Sequence, residues 1–140
     1  MACLRTLHEE LVTTLAELEG VTHQSSFDEP TLSNIRYRLS RVSGARRKLV
    51  ESLCMELIAR GEPAEQLRAL REENLATRGI STAHIGAWNL PAVANDWPGY
   101  CRASATMRAR MRRQIEREKL VLYPYLEKAG QEPPARSLRG

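Results

Sequence analysis

MRRQIEREKLVLYPYL, residues 111–126, reads as the last full helix of the chain, with one wet face and one buried face. Residues three and four apart share a helix face. Arg110, Arg113 and Arg117 therefore stack on one side, and Met107, Met111, Ile115, Glu118, Leu122 and Tyr125 on the other. A carboxylate, Glu118, thus lies in the apolar stripe, with Gln114 one turn before it. Buried polar groups need partners, so the other helices must bring donors to meet them.

Outward from this segment, the pattern gives three more long helices. Leu4, Leu7, Leu11, Leu15 and Leu18 make a seam over residues 2–19, with His8 on its shoulder or inside it and Gly20 as the stop. A second helix starts near Pro30, with Asp28 and Glu29 at the positive end of its dipole, and runs to about Arg60, with a kink near Ser43-Gly44. Its seam is Leu32, Ile35, Leu39, Val42, Arg46, Leu49, Leu53 and Leu57, while Arg36, Arg38, Arg41 and Arg47 point to solvent. A third helix opens after Glu62-Pro63. Its seam begins with Leu67 and Leu70, then turns polar at Asn74, Thr77, Arg78 and Ser81, with a bend or break expected around Gly79. Asn89 to Asn95 reads as a loop whose Leu90 and Val93 fold back over one end. Asp96 caps the last helix, which runs to about Lys128 and should kink or loosen at Pro124.

Four long amphipathic helices with short connections predict an all-α fold, an antiparallel up-and-down four-helix bundle over residues 1–130, with a flexible tail over 131–140. The seam interruptions are His8, Arg46, Asn74, Arg78, Gln114 and Glu118. Two readings stand for them: each flanks the core and reaches water, or they meet as a buried carboxylate held by guanidinium groups. Val12, Val50, Ile58 and Val121 lie off the main seams, as an interface for a second copy would.

The closing segment resembles the last helix of the hemerythrin-like (HHE) family. Glu118 matches the family's carboxylate, Tyr123-Pro124 its aromatic-proline step, and Gln114 stands at a histidine position. LRTLHEELVTTLAELEG is similar to the opening helix, where His8 matches an iron-ligating histidine. The resemblance implies a four-helix scaffold and a di-iron centre that binds oxygen or handles iron. The ligands it implies near Arg46 to Glu51 and Asn74 to Arg78 are missing, and a di-iron site needs about six inward His and carboxylate groups. The expectation is therefore a relict scaffold with no cofactor and Arg–Glu pairing in place of metal. The alternative is a reduced iron site on His8 and Glu118.

Composition narrows the rest. The net charge is +4, carried almost wholly by Arg. A third reading places an anion or nucleic acid on Arg102, Arg110, Arg113 and Arg117. That row lacks interleaved aromatics and contains Glu116, so a solvated helix face is the expected meaning and nucleic acid is not the expected partner. Cys3, Cys54 and Cys101 make neither a disulfide framework nor a zinc motif. Cys101 beside Arg102 suggests a lowered thiol pKa. No apolar run reaches a membrane span, and MACLRTLHEE lacks the layout of a secretory signal, so the expected location is the cytoplasm. His23 and His84 read as surface or capping residues. No phosphate loop, Ser-His-Asp arrangement or H-E-x-x-H motif is present, and the chain is expected to be non-enzymatic, with a homodimer or an unknown protein as partner.

Overall fold

A computed structural model describes residues 3–130; the predicted tail lies outside them. Five helices pack together, with no strand among the described residues: α1 (Leu4–Thr22), α2 (Glu29–Ala59), α3 (Ala64–Ala87), α4 (Leu90–Asn95) and α5 (Trp97–Gly130). α1 packs on α2, α2 on α3, α3 on α5, and α5 on α1, while α4 lies against α5. Cross-helix pairs between α1 and α5 run in opposite sequence order: Arg5 meets Glu127, His8 meets Glu118, and Glu19 meets Arg112. No described helix is long and apolar enough to cross a membrane.

The ends follow local chemistry. Asp28 accepts the Thr31 amide at 3.3 Å at the start of α2, and Asp96 accepts the Gly99 amide at 3.0 Å at the start of α5. α2 closes with Gly61 at φ 89°. There the Gly61 amide reaches the Ile58 carbonyl at 3.0 Å and the Glu62 amide the Leu57 carbonyl at 3.1 Å, the paired bonds of a left-handed helix stop. Gly20 does not end α1. With its φ negative and open space around its Cα, the helix runs on to Thr22, because Val21 still has an apolar end to cover. The expected loop after Asn89 is instead the short helix α4, started by Asn89, which accepts the Ala92 amide at 3.0 Å, and by Pro91 in its first turn. Its Val93 is buried, so the fold-back over one end is as read. α3 stays helical through Gly79 and Gly86, and α5 through Pro124.

The core is layered. Leu4, Val50, Cys54, Leu57, Leu67 and Leu122 fill one end. Leu11, Leu15, Met111 and Ile115 fill the middle. Leu18, Leu32, Val93 and Tyr100, walled by Phe27, Trp88 and Trp97, fill the other end. On α2 the buried row after Arg46 is Val50, Cys54 and Leu57, one step round from the expected Leu49 and Leu53, which are only partly buried. Val50 and Val121 are thus core residues and Ile58 packs against them. Of the proposed interface residues only Val12 is exposed.

Candidate functional site

Between the end layer of Leu4 and Leu122 and the middle layer of Leu11 and Ile115 lies one turn of polar side chains. α1 brings His8, α2 brings Arg46, α3 brings Asn74, and α5 brings Gln114 and Glu118, all buried. Glu118 is fully enclosed, at 0 % exposure. Its Oε1 accepts from His8 Nε2 at 2.8 Å. Its Oε2 accepts from the Arg46 guanidinium and from Gln114 Nε2, the latter at 3.1 Å. An ionised carboxylate only accepts, so the His8 proton sits on Nε2. With a neutral ring, Nδ1 then accepts from the Tyr123 hydroxyl at 2.7 Å. One carboxylate and one guanidinium leave the cluster without net charge, which is how a buried ion pair is tolerated.

The surroundings leave Arg46 charged and Tyr123 a donor. Burial lowers the Arg46 pKa, more than Glu118 raises it, yet a guanidinium stays charged far above neutral pH. Burial pushes the Tyr123 hydroxyl up, keeping it a donor, and the Arg5 guanidinium lies 4.3 Å from its ring centre. Tyr123→Phe should therefore strand one acceptor on His8 and lower stability by about 1–2 kcal/mol. Denaturant unfolding reads this directly, and an unchanged midpoint would mean water replaces the hydroxyl.

Two expected members of the cluster stand apart. Asn74 is buried but donates to the Arg47 carbonyl at 3.2 Å, not to Glu118, and its Oδ1 has no partner. Arg78 is exposed, makes no ion pair among the described residues, and borders the adjoining cavity without reaching Glu118. The inward place on that turn of α3 goes to Thr77, because one residue rotates the face by about 100°. The row Arg102, Arg110, Arg113 and Arg117 is not a uniform free face either: Arg117 forks onto Glu73 of α3 at 3.0 and 3.1 Å.

Beside the cluster, a cavity of about 540 Å³ opens between α2, α3 and α5, with Leu11 and Leu18 of α1 behind it. Small residues leave this room: Ser40, Ser43 and Gly44 on α2, Ser81 on α3, and Ser104 on α5. Arg36, expected in solvent, lines it and has a buried Nη1 without a partner. Arg108 lines it too and is 6 % exposed. Its Nη1 donates to Ser104 Oγ at 2.7 Å, and its Nε has no partner. Arg108 was not among the expected buried residues. The signal was present, since Tyr100, Ser104, Arg108, Met111, Ile115, Glu118 and Leu122 follow one another at spacings of three and four. Extending the stripe back through Met107 instead of Arg108 hid it.

The thiols lie outside this chemistry. Burial raises the Cys101 thiol more than Arg108 and Arg102 lower it, which corrects the expectation drawn from Arg102 alone. Burial pushes Cys54 up to about 11, whereas the Thr6 hydroxyl lowers exposed Cys3. A thiol reagent at about pH 8 should label Cys3 first, Cys101 more slowly, and Cys54 only on unfolding. Peptide mapping gives the order, and prompt native labelling of Cys54 would contradict the packing of this end.

No family model, curated protein or solved structure matches the chain.

The residues do not fit a di-iron centre. His8 and Glu118 are both bonded to other protein groups, and the Arg46 cation bonded to Glu118 Oε2 would repel a metal ion beside it. Among the described residues no group of three or more His, Cys, Asp or Glu could hold a metal ion.

Proposed function

We propose that this chain is a non-enzymatic ligand-binding protein on a hemerythrin-like, antiparallel up-and-down four-helix bundle of α1, α2, α3 and α5. The Arg46–Glu118–His8 cluster takes the place of a di-iron centre as a structural element, and the adjoining cavity is the binding element. One observation carries the reading: both oxygens of a fully enclosed carboxylate are bonded to donors from α1, α2 and α5. Opposite sequence order across α1 and α5, and the ring of neighbours α1–α2–α3–α5, support the topology. Free thiols suit the reducing cytoplasm.

The test is elemental analysis and a visible spectrum of protein purified without chelator, then offered ferrous iron. The expected result is no stoichiometric iron and no near-ultraviolet oxo-bridge band. About two irons per chain with that band would overturn the reading.

A further inference from the structure

The cavity has a cationic end. Tyr100, 1 % exposed, forms its wall. The Arg36 guanidinium lies 5.8 Å from the Tyr100 ring centre and the His84 ring 6.1 Å. Arg108 acts on the Tyr100 hydroxyl through space and holds Ser104 on the same wall. No Asp or Glu lines the cavity. The acidic group that acts most on Arg108 is Glu19, already paired with Arg112 at 3.0 Å. Arg36 and Arg108 make no ion pair among the described residues, and each keeps a buried nitrogen without a partner. Such groups cost free energy when left unmatched. The rest of the lining is mixed: Arg46, Arg47, Arg78 and Gln114 also border the cavity, and Leu39, Met107 and Met111 give it an apolar patch.

We propose that the cavity binds a small organic phosphate monoester, its dianionic head between Arg36 and Arg108 and its apolar body against Leu39, Met107 and Met111. Two guanidinium groups match two negative charges, and their planar forks, with the Ser104 and Tyr100 hydroxyls, match the head's three terminal oxygens. The volume suits a small molecule and excludes a polymer. The site deepens the ligand-binding reading above and rests on it.

The test is calorimetric titration of the full chain with phenyl phosphate, with EDTA present so that no metal bridges the anion. Phenyl phosphate should bind one per chain, and inorganic phosphate about tenfold or more weaker, because it lacks the apolar contact. Arg36→Gln should weaken phenyl phosphate binding about 10–100-fold, while Arg113→Gln, on the exposed face, leaves it unchanged. Arg108→Gln tests the deeper group; should that variant not fold, half-buried Arg36 decides alone. No saturable binding of phenyl phosphate, equal affinity for inorganic phosphate, or an Arg36→Gln variant that binds as well as wild type would each overturn the site. Iron content is read separately and reports on the Arg46–Glu118 core, so failure of the phosphate site and failure of the metal-free core are told apart.

Discussion

Glu118→Gln should lose about 3–5 kcal/mol of stability at neutral pH, a fall in Tm of about 10–20 °C for a domain of this size. The substitution keeps shape and removes one charge. The amide oxygen can still accept from His8, but its NH2 then faces the Arg46 guanidinium, donor against donor. Gln114 can turn its own amide to present oxygen. Arg46 cannot, since a guanidinium only donates. It borders the cavity but is only 4 % exposed, so water compensates its charge poorly. Thermal and urea unfolding both read the loss, and an unchanged midpoint would mean that Glu118 is solvated or protonated in the wild-type protein.

Arg46→Met should be as costly, about 3–5 kcal/mol, for the mirror reason. The methionine fills much of the arginine stem's volume among its neighbours. It leaves the Glu118 carboxylate buried with only the neutral donors His8 and Gln114. The loss therefore shrinks as pH falls, because protonation removes the stranded charge. Stability relative to wild type is then regained as pH falls. A loss independent of pH would point to lost packing instead.

The helical class was legible because the seams are written in leucine at spacings of three and four, as in Leu4 to Leu18, all buried. Where the seam turns polar, periodicity still put Glu118 and Arg46 in an apolar residue's place in the count, with His8 and Gln114 on or beside the seam. It could not say which polar groups touch, because register between helices is set by packing at a distance. Asn74 shows this: it is inward as read, yet bonded to the Arg47 backbone. Arg78 lies one residue of rotation away from Glu118 and borders the cavity instead. The cavity was the least legible feature. Ser43-Gly44 read as a kink, and the space that Ser40, Ser43, Gly44 and Ser104 leave exists only once three helices face one another. Arg36 and Arg108 were lost for the same reason, since arginine reads as surface unless something shows it enclosed.

Arg46 and Glu118 neutralise each other inside the bundle. The most direct measurement is the double-mutant cycle of Arg46→Met and Glu118→Gln by urea unfolding. Removing both charges removes both stranded groups, so the double variant should lose no more than either single one, which with single losses of about 3–5 kcal/mol each means a coupling energy of at least about 3–5 kcal/mol. Losses that simply add, leaving the double variant less stable than either single one, would show that the two residues do not pair and would contradict this account of the core.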